Sequence, residues 1–179
     1  VQGQASLSWR ETFKEKVLAL SGISRLDVSR LEDDAESRRI KELLAGLDRV
    51  VIRFPVGLDQ PIPEDRDTLN RAVEDLVALE KLAGSMGLAV SLTIYGYTDL
   101  SGQAKRNYEL SQARARALAA LLYERGSTIA LSTFGLGPDP AEEEAGPQTP
   151  AQKKAAAQAS RRIELKVKLD RPRVTVDLD

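Results

Sequence analysis

From residue 50 onward, short runs of apolar and β-branched residues alternate with long amphipathic stretches. The short runs predict strands, and the amphipathic stretches predict helices. The expected strands cover 50–54, 88–95, 129–134 and 163–169, and the expected long helices cover 68–85 and 107–125. Because helices that connect strands pack against the resulting sheet, this order predicts an α/β two-layer sandwich. We expect a mixed four-stranded sheet with two long helices packed on one face, in the order β-α-β-α-β-(α)-β.

The helix predicted over 107–125 carries apolar residues at helical spacing and is followed by Gly126. Its polar residues Ser111 and Gln112 are expected on the solvent surface. The residues expected to face the sheet are Leu110, Ala113, Ala117, Leu118, Leu121 and Leu122.

The segments on either side of this pattern carry weaker signals. Residues 1–47 predict a helix over 8–21, begun by a capping box at Ser8 and contributing Trp9 and Phe13 to the core. A short strand around Leu26 and Val28 and a helix over 34–46 follow. Residues 135–150 are rich in Gly, Pro and Glu and predict a mobile excursion, followed by a short helix over 151–159. We therefore divide the chain into a front segment 1–47, a domain 48–170 and a tail 171–179.

The composition excludes several classes of chemistry. The chain contains no His and no Cys, which excludes Ser-His-Asp triads, cysteine nucleophiles, disulfides and the usual zinc sites. We predict neither a metal nor a cofactor. The 26 basic residues are balanced by 27 acidic ones, so no overall positive charge favours nucleic acid. No apolar run approaches the roughly 20 residues that a membrane span needs. Because the chain starts at Val1 rather than at Met, we interpret it as a fragment or a processed form, and expect any membrane attachment to come from missing N-terminal parts.

The best candidate for a binding site follows the predicted strand 88–95. Asp99 comes where the chain leaves the sheet, a position at which open α/β sheets often bind ligands. Arg114 lies about two turns into the next helix, and its side chain leans back toward the same loop. A carboxylate can accept hydrogen bonds from an ammonium group, and a guanidinium can grip a carboxylate with two bonds. An amino acid head group matches both charges, with backbone N–H groups at 100–102 as further donors.

Other interpretations of these residues stay open. Asp99 and Arg114 can instead form an internal salt bridge that fixes the loop. Arg161 and Arg162 can face the same cavity from the last strand, or one of them can be a solvated strand residue. No nucleophile and base occur together near the loop, so the sequence does not favour an enzyme.

The spacing of these residues resembles the signature of OmpA-like peptidoglycan-associating domains over roughly 48–170. The residues that carry the resemblance are Thr98-Asp99-x-x-Gly102-x4-Asn107-x-x-Leu110-Ser111-x-x-Arg114-Ala115, with Ile94-Tyr95-Gly96 before them and Phe134-Gly135-Leu136-Gly137 and Arg161-Arg162-Ile163-Glu164 after them.

The resemblance implies a non-catalytic domain that binds the peptide stem of peptidoglycan through its diaminopimelate residue. It assigns the amino acid head group to Asp99 and Arg114. Thr98 and Asn107 would shape the loop, and Leu100 and Ser101 would supply backbone contacts. The implied location is the bacterial cell envelope, facing the periplasm, in a protein tethered to a membrane.

Two positions depart from the family pattern. Tyr97 stands where many members have His, and Ser160 stands where many have Asn, a change expected to loosen the cavity wall next to Arg161 and Arg162. These departures, together with the two-part construction of the chain, motivate a second hypothesis, a scaffold module of the same fold that has lost wall binding. The front segment 1–47 more faintly resembles half of a BON-like module, a small αβ unit associated with membranes or other proteins.

Overall fold

A computed structural model describes residues 2–20, 22–23, 25–27, 30–143 and 148–170 of the chain. Within these ranges the elements are, in chain order, β1 (Gln2–Ala5), α1 (Leu7–Leu18), β2 (Arg30–Asp33), α2 (Ala35–Leu47), β3 (Val51–Arg53), α3 (Arg66–Ser85), β4 (Ala89–Thr98), α4 (Ala104–Glu124), β5 (Ala130–Pro138), α5 (Pro140–Glu143), α6 (Pro150–Ser160) and β6 (Arg162–Asp170).

The main sheet has four strands in the order β3-β6-β4-β5. Strand β6 is antiparallel to both β3 and β4, and β4 is parallel to β5. Every second residue of β4 is buried, because the long helices α3 and α4 cover one face of the sheet. The predicted two-layer sandwich with a mixed four-stranded sheet is therefore confirmed.

The hydrophobic core extends beyond the two long helices. Three residues of α2 (Ile40, Leu43 and Leu47) belong to the same buried cluster as Leu76 of α3 and Ile52 of β3. The predicted domain boundary after residue 47 stays a prediction. Helix α2, which precedes this boundary, packs against α3 and β6, which follow it. The predicted tail 171–179 lies outside the described residues.

The front segment differs from the sequence prediction in three details. Ser6, not Ser8, caps α1, because the Ser6 hydroxyl accepts the Trp9 N–H at 3.1 Å. Trp9 is 44% exposed and stacks on Phe13 with the ring centroids 4.4 Å apart, so it does not join the core. The strand of this segment is β2, paired in parallel with β1, rather than a strand at Leu26, and Val28 lies outside the described residues.

Strands β4 and β5 extend further than predicted, to Thr98 and Pro138. Two glycines that were expected to end these strands lie inside them and allow a helix to pack closely. A side chain at Gly96 would overlap the backbone of Ser111, and one at Gly135 would overlap the backbone of Gln112. Glycine at both positions lets α4 lie directly on the sheet, although in the sequence the same glycines indicated loops. The excursion predicted over 135–150 is therefore shorter, since β5 and α5 occupy its first part.

The buried face of α4 also differs from the predicted one. Ala117 is exposed, whereas Ser111, which we expected at the surface, is fully buried. The buried positions of the helix are Asn107, Ser111, Arg114, Ala115, Leu118, Ala119 and Leu122. The N-terminal half of α4 thus turns polar side chains toward the sheet, and a purely hydrophobic stripe could not identify that face.

Candidate ligand-binding site

A cavity of about 200 Å³ opens at the end of β4, where the chain leaves the sheet for α4. The loop after β3 closes one side of it. Its charged and polar lining comprises Thr98, Asp99, Ser101, Arg106, Asn107, Arg114 and Arg161. Asp99 and Arg114 therefore face one cavity, as the sequence predicted.

Asp99 is held by the loop and by the last strand. One carboxylate oxygen accepts the backbone N–H of Ser101 at 3.1 Å and also the Ser101 hydroxyl. The other accepts Nη1 of Arg161 at 2.7 Å. Burial alone would raise the pKa of Asp99, but the hydrogen bonds from Ser101 and Arg161 outweigh it and lower the pKa below its ordinary value. The carboxylate is therefore ionised at neutral pH.

Arg114 is a buried cation that bonds only to backbone carbonyl oxygens. Its side chain has no exposed surface, and its guanidinium lies 4.9 Å from the ring centroid of Phe54. Nε donates to the carbonyl of Leu58 at 3.0 Å, Nη1 to that of Tyr97 at 2.9 Å and Nη2 to that of Pro55 at 3.0 Å. Among the described residues, no carboxylate forms an ion pair with Arg114. The internal salt bridge of the loop is thus Asp99–Arg161, not Asp99–Arg114.

The electrostatics of Arg114 follow from this environment. Burial, and next the positive charge of Arg161, lower the pKa of Arg114 from its ordinary value to about 10, while Asp99 acts in the opposite direction. The group stays protonated at neutral pH. Since a guanidinium has five N–H donors and three carbonyls are bonded, donors remain for a further acceptor.

Two further polar side chains shape the cavity. The Asn107 amide donates to the backbone carbonyls of Asp99, at 3.3 Å, and Ser101, at 2.9 Å, and so ties the loop to α4. The hydroxyl of Thr98 is buried, with the residue 2% exposed, and has no hydrogen-bond partner among the described residues. A buried polar atom without a partner is costly, so this hydroxyl suits a ligand group.

The backbone donors expected at 100–102 are partly occupied. The N–H of Leu100 points to Oε2 of Glu142 at 3.3 Å, and the N–H of Ser101 is bonded to Asp99. The Leu100 side chain is exposed, and Leu100 does not line the cavity.

The paired arginines at the start of β6 have separate places. Arg161 lines the cavity, and its Nε donates to the carbonyl of Phe54 at 3.1 Å. Arg162 does not line it. Arg162 pairs with Asp139 and Glu164, and lies over the ring of Tyr97, 4.5 Å from the centroid.

Neither family departure touches the cavity. Tyr97 points to the outer face of the sheet, since β4 residues alternate between the two faces and Thr98 points inward. The hydroxyl of Ser160 donates to the carbonyl of Ala156 in its own helix at 3.1 Å. The expected loosening of the cavity wall at Ser160 has no counterpart in these contacts.

The sequence did not single out Arg106 or the structural roles of Ser111 and Gln112. Arg106 directly precedes Asn107 in the sequence. This adjacency could have indicated Arg106 as a site residue, since neighbouring residues in a first helical turn can border one site. Within the described part of the chain, no cluster of three or more Asp or Glu side chains is suited to hold a metal ion.

Comparison with known protein families matches residues 63–162, more than half of the 179-residue chain, to the OmpA family. The chain belongs to the OmpA family. Domains of this family are structural modules rather than enzymes. A comparison with curated proteins finds no match.

Several solved structures resemble this OmpA-family chain. The peptidoglycan-associated lipoprotein from Burkholderia pseudomallei is 19% identical, covering 73% of this chain and 99% of that one, with a TM-score of 0.54. The periplasmic domain of Helicobacter pylori MotB is also 19% identical, covering 66% of this chain and 71% of that one, with a TM-score of 0.47. The cell wall anchor of the T6SS from Pseudomonas aeruginosa is 18% identical, covering 75% and 96%, with a TM-score of 0.46. At 19% identity, the likeness to the lipoprotein concerns the fold alone. None of the helices in the described ranges has the length and apolar character of a membrane span.

Proposed function

We propose that this domain binds peptidoglycan non-covalently, through the diaminopimelate residue of the stem peptide, and so anchors a larger envelope protein to the cell wall. The family membership and the name of the peptidoglycan-associated lipoprotein support the wall as the partner. The charges of the cavity support the amino acid head group as the ligand.

One observation carries the proposal: Arg114 is a fully buried cation that has no carboxylate partner among the described residues, and it borders a cavity that also contains Asp99. A buried charge is costly unless it is paired. The carboxylate of the head group would provide the missing negative charge and accept the remaining N–H donors of Arg114. Binding of this carboxylate would return the pKa of Arg114 toward its ordinary value.

The ammonium of the same head group would bind Asp99. Three hydrogen bonds already reach that carboxylate, from Ser101 and Arg161, and two oxygens offer about four lone-pair positions. The unpartnered hydroxyl of Thr98 would bond the ligand, and Asn107 would hold the loop in place. Arg161 would keep Asp99 oriented. Ser101 would contact the ligand through backbone atoms other than its bonded N–H group, whereas Leu100, which does not line the cavity, is left without the role that the family resemblance implied.

The place of the protein in the cell follows from this function. A peptidoglycan ligand requires that the domain face the periplasm, and we propose a tether to a membrane through parts outside the described residues. The front segment, with its parallel β1–β2 pair, would act as an accessory module of the BON-like kind.

Sedimentation with purified peptidoglycan tests the proposal. We expect Asp99→Asn to abolish retention, because the amide cannot balance an ammonium. Arg114→Lys should weaken retention at least tenfold, because an ammonium cannot grip a carboxylate with two parallel bonds. The exposed residues Asp67 and Arg116 give matched controls, Asp67→Asn and Arg116→Lys, which should bind like the wild type. Retention of Asp99→Asn and Arg114→Lys at the wild-type level would contradict the proposal.

The scaffold hypothesis gains no support from the positions that motivated it, since the side chains of Tyr97 and Ser160 both lie away from the cavity. Titration with a soluble diaminopimelate peptide, followed by NMR, separates the two functions. Shifts concentrated in residues 98–114 support wall binding, and unchanged spectra support a scaffold.

A further inference from the structure

The cavity holds more positive charge than one amino acid head group can balance. Its lining contains three guanidinium groups (Arg106, Arg114 and Arg161) and one carboxylate, Asp99. Asp99 is paired with Arg161 at 2.7 Å. A zwitterionic head group adds one ammonium and one carboxylate, so its own charges cancel. Two positive charges therefore stay unbalanced when only the head group is bound.

Arg106 carries one of these two charges, and the other arises because Arg161 and the ligand ammonium share the single carboxylate of Asp99. It is the third residue of α4, it is exposed, and within the described part of the chain it makes no hydrogen bond, ion pair or ring contact. Its guanidinium therefore has all its donors available to a ligand at the cavity.

The charges at the start of α4 are also opposite to those usually found at a helix N-terminus. The positive end of the helix dipole favours acidic residues in the first turn, yet this turn has none and contains Lys105 and Arg106. The N-cap residue, Gln103, makes no side-chain capping hydrogen bond. Cations at this end of a helix are destabilising. The Thr98 hydroxyl, which also borders the cavity, is buried and has no partner in the part of the chain that the structure describes, and so independently indicates that a ligand completes this side of the cavity.

We propose that Arg106, at the uncapped start of α4, binds a second carboxylate of the stem peptide, outside the head group that Asp99 and Arg114 hold. The site then selects stem peptides whose second carboxylate is free over those in which it is amidated. This inference rests on the proposed function and adds a specificity-determining residue to it. Two carboxylates of a stem peptide have the required chemistry: the α-carboxylate of the γ-linked glutamate, and the carboxylate at the other end of diaminopimelate.

Calorimetric titration of the whole chain tests the inference. The probes are a soluble L-Ala-γ-D-Glu-diaminopimelate tripeptide and two relatives, amidated either at the glutamate α-carboxylate or at the diaminopimelate carboxylate outside the head group. We expect the wild type to bind one of the amidated peptides about fivefold more weakly than the free one, which identifies the carboxylate. An exposed charge-assisted bond is consistent with this size.

The variant Arg106→Gln should bind the free peptide about fivefold more weakly and no longer distinguish it from the amidated one. The matched control is Arg116→Gln, which removes the same charge from an exposed position about 15 Å further along α4. It should keep both the affinity and the discrimination. Since the contact is exposed, 0.5 M salt should also reduce the discrimination of the wild type.

The outcomes separate this inference from the proposed function. If the wild type binds all three peptides equally and Arg114→Lys still weakens binding, the second-carboxylate site is wrong and the head-group site stands. If Arg106→Gln keeps full discrimination, Arg106 is not the specificity residue. If the wild type binds no peptide, both proposals are overturned.

Discussion

Helix α4 presents two polar faces that differ in how completely their hydrogen bonds are satisfied. On the face toward β5, the Ser111 hydroxyl accepts the N–H of Gly137 at 3.0 Å. The Gln112 amide donates to the carbonyl of Thr133 at 3.2 Å and accepts the N–H of Gly135 at 2.6 Å. Strand β5 is the outermost strand on its side of the sheet. Gln112 therefore occupies backbone groups that a further strand would otherwise bind.

On the face toward the cavity, polar groups are left available. Arg114 bonds three carbonyls but no carboxylate, and the Thr98 hydroxyl bonds nothing within the described ranges. On the β5 side of α4, the polar side chains thus find hydrogen-bond partners within the fold. On the cavity side, some polar groups keep unused hydrogen-bonding capacity. The comparison shows that burial of a polar side chain does not by itself indicate a binding site. Buried donors and acceptors that lack hydrogen-bond partners do indicate one.

The largest effect on stability should come from removing the guanidinium of Arg114. The substitution Arg114→Met keeps an unbranched side chain but removes the guanidinium donors from the carbonyls of Pro55, Leu58 and Tyr97, of which the Pro55 carbonyl keeps the Leu58 N–H at 3.4 Å. Each buried group without a partner costs about 1–3 kcal/mol, so we expect the free energy of unfolding to fall by about 3 kcal/mol or more. Urea denaturation measures it, with Arg116→Met as the exposed control. A loss no larger than that of the control would mean that water satisfies these carbonyls.

A smaller loss of stability is expected when the backbone groups at the edge of β5 lose their hydrogen bonds to Gln112. In Gln112→Ala, three hydrogen bonds to β5 disappear, those with the Thr133 carbonyl, the Thr133 hydroxyl and the Gly135 N–H, which should cost about 2 kcal/mol. The freed edge contains no charged residue over 130–138, so we also expect concentration-dependent self-association. Urea denaturation and sedimentation velocity measure the two effects. The control is Gln103→Ala, whose side chain makes no capping bond. A monomeric Gln112→Ala protein of full stability would show that the amide does not protect the edge.

The contributions of the cavity side and the β5 side to the free energy of unfolding should also differ in their dependence on pH. Because the pKa of Asp99 is lowered in the fold, its contribution to stability is complete above the unfolded value, near 3.9, and is lost as the pH falls through the lowered pKa. We expect Asp99→Asn to cost about 1 kcal/mol at pH 7 and much less at pH 2.5. The cost of Gln112→Ala should not change, because an amide does not titrate. Urea denaturation at both pH values checks this. Equal losses of Asp99→Asn at the two pH values would contradict the role assigned to its charge.

The difference between the two faces also explains what the sequence could predict. Hydrophobic periodicity identified the sheet and its helices because it reports burial of apolar residues, as for Leu92 and Ile94 in β4. It placed Ser111 and Gln112 on the surface because polar residues that bond to backbone groups leave no periodic signal. In the same way, Gly96 and Gly135 indicated loops, whereas their role is the close approach of α4.

For the candidate site, charge and spacing predicted that Asp99 and Arg114 share a cavity, but not their partners. Chain order cannot tell which of two adjacent arginines points inward, since a one-residue shift in a strand reverses the face. The strand geometry places Arg161 beside Asp99 and Arg162 over Tyr97. The family signature also says nothing of Arg106, a position it leaves open.

The smallest effect is expected at the position that departs most visibly from the family pattern. Restoring the common residue with Tyr97→His should change retention on purified peptidoglycan less than twofold at pH 7.5. The ring of Tyr97 lies on the outer face of β4 against Arg162, and only the backbone carbonyl of Tyr97 reaches Arg114. The next residue gives the contrast: Thr98→Val keeps the shape of the side chain but removes the hydroxyl from the cavity, and should weaken retention. If Tyr97→His strengthens binding and Thr98→Val does not weaken it, the ligand lies on the outer face of the sheet.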